Sequence, residues 1–214
     1  MNKDQVNKPR ANVKYYIYDI EVYLNFFLAV FINTKDVRDM KYFSCRNLEA
    51  LKEFISDKRL VLIGYNNFYF DDPILKAIFT GKVHTPKEIS RLVNTLITNP
   101  TGNLVYELKF DVGTPWLKSI DMLQVLGGKD SLKVKAIKMG WHLIQDLPYP
   151  PNSKVTEEQA RVIYKYCQND VLITLELFKR HQEEILIRFE LEKLYKVQGL
   201  TCKTNPGIAE ALFK

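Results

Sequence analysis

Apolar positions follow two rhythms along this chain, short β-rich runs in the first third and helical stretches later, with Gly and Pro marking the joints. Val13 to Glu21 is dominated by Tyr, Ile and Val and lacks Gly and Pro, the composition of a buried strand. The same reading predicts strands near 13–20, 24–32, 39–43 and 59–65, and helices near 47–57 and 71–80. Further on, Pro86 to Asn99 looks helical, Thr101-Gly102-Asn103 reads as a turn, and Leu104 to Phe110 alternates as a hairpin strand would. Residues near 82–118 therefore form an insertion, either a clamping hairpin or a surface excursion. A strand is expected over Lys118-Ser119-Ile120-Asp121-Met122-Leu123, and a lysine-rich helix around Lys129 to Lys138. Pro148, Pro150 and Pro151 make a rigid connection into one long helical pattern, with Thr156 as its N-cap, about Gln198 as its end and Gly199 as its stop. Strands interleaved with helices in 214 residues of 46% hydrophobic content predict one α/β domain over 13–199. Residues 1–12 read as a flexible basic arm, and 200–214 as a tail or the start of a linker.

Three of these segments carry acids at telling positions. Asp19 and Glu21 lie two apart, so on a strand both carboxylates project from one face, where two close like charges resist joint ionisation without a cation. A strand emerging into solvent with an alternating polar face is the other explanation. Asp71 falls at the entrance of the helix near 71–80, where an acid suits a cap or the first turn. Asp72, followed by Pro73, fits that cap equally, which leaves one of the pair to face the strand ends, where open α/β sheets place their sites. Tyr166 and Asp170 are four apart, stacking a phenol and a carboxylate on one helical face, or simply marking an amphipathic edge.

In this order the three segments resemble the motifs of DEDD-superfamily 3′→5′ exonucleases of the tyrosine subtype. Asp19-Ile20-Glu21 is similar to Asp-x-Glu; Gly64-Tyr65-Asn66-Asn67-Phe68-Tyr69-Phe70-Asp71 to the Asn-x-x-x-Phe-Asp form of family B DNA polymerases; and Tyr166-Cys167-Gln168-Asn169-Asp170 to Tyr-x-x-x-Asp. Asn67 satisfies a shorter spacing used by protein-primed phage polymerases, whereas Asn66 satisfies the longer one, with which Gly64 and Pro73 also align. Val22 and Tyr23 follow Glu21, where many relatives carry a Thr that contacts the substrate terminus. Ser119-Ile120-Asp121-Met122-Leu123 and Ser131-Leu132-Lys133 resemble the strand and helix of those proofreading domains, with Asp121 read as a strand-end polar residue.

The resemblance implies an RNase H-like mixed β-sheet flanked by helices. It implies two divalent cations, Mg²⁺ or Mn²⁺, held by Asp19, Glu21, Asp71 and Asp170, with Tyr166 hydrogen-bonded to the attacking water. Asn66, Asn67, Phe70 and Val22 become candidate contacts to the terminal nucleotide. The implied partner is single-stranded DNA or a frayed primer 3′ end, alongside a DNA polymerase portion or subunit. RNA trimming is a second reading, but its commoner enzymes carry a histidine five residues before the last Asp, where this chain has Lys165. A catalytically silent nucleic-acid-binding module is a third.

A formal charge of +6 favours a polyanionic partner, with Lys3, Lys8, Arg10 and Lys14 near the start and Lys129, Lys133, Lys135 and Lys138 around one helix. Cys45, Cys167 and Cys202 are odd in number and widely spaced, which supports neither a disulfide framework nor a zinc site. His84, His142 and His181 show no ligand spacing. The chain has no apolar run long enough to span a membrane and no signal-peptide core at the polar start, so a cytoplasmic location without membrane partners is expected.

Overall fold

A computed structural model describes residues 13–103, 107–108 and 118–213. At its centre lies a five-stranded mixed sheet. The strands are β1 (Lys14–Tyr23), β2 (Phe26–Asn33), β3 (Met40–Ser44), β4 (Leu60–Gly64) and β5 (Lys118–Asp121), in the order β3-β2-β1-β4-β5. β1 to β3 form an antiparallel meander, whereas β4 and β5 run parallel to β1. That order, with helices on both faces, is the RNase H-like α/β arrangement. β4 is buried along its whole length, as a continuous apolar run in a parallel sheet covered on both sides must be.

Period-two alternation in β1 sorts its side chains between two helical layers. Tyr16, Tyr18 and Ile20 face α1 (Leu48–Ile55), α2 (Asp71–Phe79) and α3 (Pro86–Thr98), joining Leu51, Ile74, Ile78 and Ile89 in one core. Ile17 and Tyr23 face the other layer, built from α4 (Met122–Leu126), α5 (Leu132–Lys138), α6 (Glu157–Arg180) and α7 (Gln182–Tyr195). Two short 3₁₀ turns, Asn67–Tyr69 and Leu200–Cys202, and a final helix α8 (Asn205–Phe213) complete the described elements.

The expected strands and early helices fall within a few residues of their places, and α6 begins as expected. Thr156 caps it, accepting from the Gln159 amide while the Gln159 side chain accepts from the Thr156 amide. The single helix expected from Thr156 to about Gln198 is corrected by the structure. It breaks at His181, whose φ of −119° leaves the helical region and whose Nδ1 bonds Glu184 Oε1 at 2.9 Å. α7 then seats Ile185 and Arg188 inward and ends at Lys196 in the left-handed region, before the expected stop at Gly199. A continued α6 would carry those side chains past the domain instead. The Arg188 guanidinium donates to the carbonyls of Val125 and Lys203 and to Asn205 Oδ1, tying α7 to α4 and to the segment before α8.

α3 belongs to the core through Ile89, Leu92 and Leu96, so the first half of the predicted insertion is structural. In the predicted hairpin strand Leu104–Phe110, the described residues Glu107 and Leu108 are helical; the rest of it and the basic arm 1–12 lie outside the described residues. After Gly199, Leu200 and Thr201 are buried and Thr201 donates to the Ser119 carbonyl, while Phe213 is 88% exposed.

Candidate metal centre

The parallel strands β1, β4 and β5 point their C-terminal ends the same way, and everything of chemical interest gathers there. Registered pairing of β1 with β4 stops at Ile17 opposite Ile63, but β1 continues to Tyr23 against β2 alone. Asp19 and Glu21 therefore lie on a stretch whose β4 side is open, because β4 ends at Gly64 and the chain turns away into the 3₁₀ turn and α2. Both side chains lie on the Ile17–Tyr23 face of β1, the face that α6 covers.

α6 crosses this face with Ile163, Cys167 and Val171 buried at helical spacing. Its start is moored to the β1–β2 turn, where Asn25 exchanges two hydrogen bonds with the backbone of Val155, at 3.0 and 2.8 Å. Tyr166 and Asp170 sit on the edge beside the buried stripe. Ligand oxygens of Asp19, Glu21 and Asp170 all lie within 4.8 Å of one another, and all three residues are half-buried. Asp71, in the first turn of α2, is buried and stands outside that trio while remaining electrostatically coupled to Asp19 and Glu21.

The electrostatics are those of an uncompensated anion cluster. Desolvation, then repulsion from Asp170, pushes Asp19 up to about 8. Glu21 is raised well above its usual range by desolvation and by the charges of Asp19 and Asp170. Desolvation and the Asp19 charge lift Asp71 likewise, and desolvation lifts Asp170 to about 6 against the opposing hydrogen bond from Tyr166. Among the described residues no basic side chain forms an ion pair with any of the four. Three converging hard oxygen donors with no protein cation fit a divalent ion of the Mg²⁺ or Mn²⁺ type.

The candidate nucleotide contacts separate sharply. Asn67 is 0% exposed and its amide donates to Asp72 Oδ2 at 3.2 Å and Ser119 Oγ at 2.6 Å, so it faces inward. Gly64 makes this possible, since a Cβ there would lie 2.6 Å from Asn67 Cβ. Asn66 is exposed, in the left-handed region at φ 61°, with its amide held by Asp121 Oδ1. Val22 and Phe70 are half-buried against the core, and Tyr69 is 48% exposed. Asp121, expected as a strand-end polar residue, is buried at the end of β5 and accepts from the backbone amides of Asn66 and Leu123, capping the short helix that follows.

Asp72 does not cap α2. Phe70 holds the N-cap position without a side-chain bond, and Asp72 instead accepts from the Tyr18 hydroxyl at 2.5 Å. Cys167 also escaped the sequence reading: its buried thiol donates to Asp19 Oδ2 at 3.4 Å. The available signal was its place in the Ile163–Val171 stripe, one residue from Tyr166. The basic helix α5 is largely neutralised, Lys133 by Asp146, and Lys135 and Lys138 by Asp130. Beside the site, a cleft of about 180 Å³ runs between α5 and α6, lined by Ser131, Lys133, Gln145, Tyr166 and Asp170 among others.

No protein-family profile and no curated protein matches the chain. Among solved structures it is similar to phi29 DNA polymerase complexed with primer-template DNA, as a post-translocation binary complex, with 16% identity and a TM-score of 0.46 over 85% of this chain and 35% of that one. The ternary complex of that polymerase with incoming nucleotide gives 17% identity and a TM-score of 0.39, over 86% and 32%. Product-bound exonuclease I gives 13% and 0.41, over 86% and 48%. The chain thus spans less than half of each, and likenesses this distant carry neither a family nor an activity across. No helix among the described residues is long and apolar enough to cross a membrane.

Proposed function

We propose that this chain is a metal-dependent 3′→5′ exonuclease, hydrolysing phosphodiester bonds at the 3′ end of single-stranded DNA or frayed primer termini. The observation that carries the reading is the convergence of Asp19, Glu21 and Asp170 within 4.8 Å, beside Asp71 and one helical turn from Tyr166. Asp19, Glu21, Asp71 and Asp170 would hold two divalent cations, which when bound lower the pKa of water and offset charge on the attacking and leaving oxygens of a phosphodiester.

The remaining work falls to the chain's own side chains. Burial and the neighbouring acids raise the Tyr166 phenol well above its usual range, so at neutral pH it is a protonated hydroxyl able to orient a water. Asn66, exposed beside the strand ends, is the asparagine of the pair that can hydrogen-bond a nucleotide. Val22 and Phe70, half-buried at the edge of the first core, would offer apolar surface to a terminal base, a contact that tolerates any sequence. The cleft beside Asp170 offers the strand a path past Lys133 and Gln145.

Incubation of 5′-labelled single-stranded DNA, and the matched RNA, with Mg²⁺ or Mn²⁺ tests this directly. A ladder shortening from the 3′ end, abolished by EDTA and by Asp19→Ala and reduced about 10²-fold by Tyr166→Phe, is expected. A ladder that survives Asp19→Ala, or intact DNA with folded protein and bound Mn²⁺, would overturn the reading.

A further inference from the structure

The proposed chemistry requires Asp71 at a set separation from Asp19 and Glu21, although they belong to different elements and repel one another. A misplacement of about 1 Å in such a site costs on the order of 10²-fold in rate. Covalent structure does not hold this separation, since β1 and α2 are joined only through β2, β3, α1 and β4.

A buried polar cluster lies directly behind the carboxylates. Tyr18 immediately precedes Asp19 and, by the alternation of the strand, projects to the opposite face, where its ring stacks on Phe31 at 5.5 Å. Asp72 immediately follows Asp71. The Tyr18 hydroxyl donates to Asp72 Oδ1 at 2.5 Å, so one hydrogen bond joins the neighbour of Asp19 to the neighbour of Asp71 across 54 residues of chain. Asn67 braces the contact from a third side, donating to Asp72 Oδ2 and to Ser119 Oγ on β5, and Asn67 itself adjoins the exposed Asn66. Tyr18, Asn67 and Asp72 are all buried.

Burying a carboxylate is costly, and an apolar pair would pack β1 against α2 without that cost. What the polar pair adds is direction: a hydrogen bond fixes both distance and angle, whereas apolar contact tolerates sliding. We propose that the Tyr18–Asp72 hydrogen bond, braced by Asn67 and Ser119, is a clasp that sets the position of Asp71 relative to Asp19 and Glu21, making Tyr18 and Asp72 positioning residues for the metal centre. This rests on the exonuclease reading above.

The same strand supplies a matched control. Tyr16 lies two residues earlier on the same face, and its hydroxyl donates to Asp39, which adjoins no site residue. Mn²⁺ binding, followed by electron paramagnetic resonance on the full chain, should weaken roughly 10-fold or more in Tyr18→Phe and stay unchanged in Tyr16→Phe. Asp72→Asn keeps an acceptor for the Tyr18 hydroxyl but turns an NH₂ toward the Asn67 amide, so its Mn²⁺ binding should fall between those of the wild type and Tyr18→Phe. With DNA, Tyr18→Phe should lower kcat about 10²-fold at unchanged KM. Equal Mn²⁺ affinity and kcat in the two Tyr→Phe variants overturns the clasp while leaving the functional reading intact. A wild-type protein that holds no Mn²⁺ overturns that reading and the clasp together. Should Tyr18→Phe fail to fold, Ser119→Ala removes one brace from a half-buried position, and there unchanged Mn²⁺ affinity overturns the inference just as well.

Discussion

At the N-terminal end of β1, acids are wrapped in donors, whereas at its C-terminal end they face one another. Asp57 sits 3.1 Å from Lys14 and 2.8 Å from Arg59, whose hydrogen bonds hold its carboxyl well below the usual range. Asp39 accepts from Lys41, Tyr16 and Asn33, which overcome its partial burial and bring it down to about 2. Eight residues along from Tyr15, Tyr23 closes a stretch in which Asp19 and Glu21 have no cation and Cys167 is the only side chain donating to Asp19 among the described hydrogen bonds. Both ends gather carboxylates beside one strand, Asp57 and Asp39 from neighbouring loops at the first and Asp19 and Glu21 on β1 itself at the second. The first end stabilises the fold, and the second stores repulsion that a bound cation would relieve, the local cost that the proposed function would have the site accept.

The largest break in this contrast should come from Asp170→Asn. If Asp170 is the proposed metal ligand, its loss removes several kcal/mol of charge stabilisation and should cut the proposed nuclease activity by about 10³-fold or more. Removing one of the mutually repelling charges should nonetheless raise the melting temperature of the metal-free protein. A variant that loses activity and also melts lower in EDTA would mean that Asp170 is a structural acid like Asp39.

The pH dependence sharpens the comparison. Asp19 and Asp170 have folded-state values raised to about 8 and about 6, above the roughly 4 of an unfolded Asp. Between these limits the folded state binds more protons than the unfolded one, so stability falls as pH rises from about 4 to 8. In EDTA the melting temperature should therefore drop by several degrees from pH 5 to pH 8, and saturating Mg²⁺ or Mn²⁺ should flatten or reverse that slope. A flat profile in EDTA would show that the cluster is not strained.

The smallest effect belongs to the other end. Asp39 has a lowered value, so its contribution is complete above about pH 4 and is lost as pH falls through about 2. Asp39→Ala should cost on the order of 1 kcal/mol at neutral pH, about 2–4 °C in melting temperature, and leave nuclease activity unchanged. Calorimetry and the ladder assay measure both.

Much of this molecule is readable residue by residue. The β1, β2 and β4 runs, the helical periods of α1 to α3, the Thr156 cap and the i, i+2 and i, i+4 spacings of the acids are local properties. Each depends on backbone geometry within one or two turns, which a sequence states outright. The break at His181 was not readable, because the helical propensity of 157–198 is nearly continuous and the burial of Ile185 and Arg188 beyond it is a property of the tertiary fold. Nor was the choice between Asn66 and Asn67. Adjacent asparagines look alike until one fills the space above Gly64 and the other is left exposed in a left-handed turn.

The sequence by itself therefore determined most of the strands, the early helices, the mixed α/β class and which acids cluster. Only the tertiary structure decided that Asp72 clasps Tyr18 rather than capping its helix, and that Cys167 donates to Asp19. Those partners lie 54 and 148 residues apart, and hydrogen bonds over such separations are set by how whole layers pack, which no local period records.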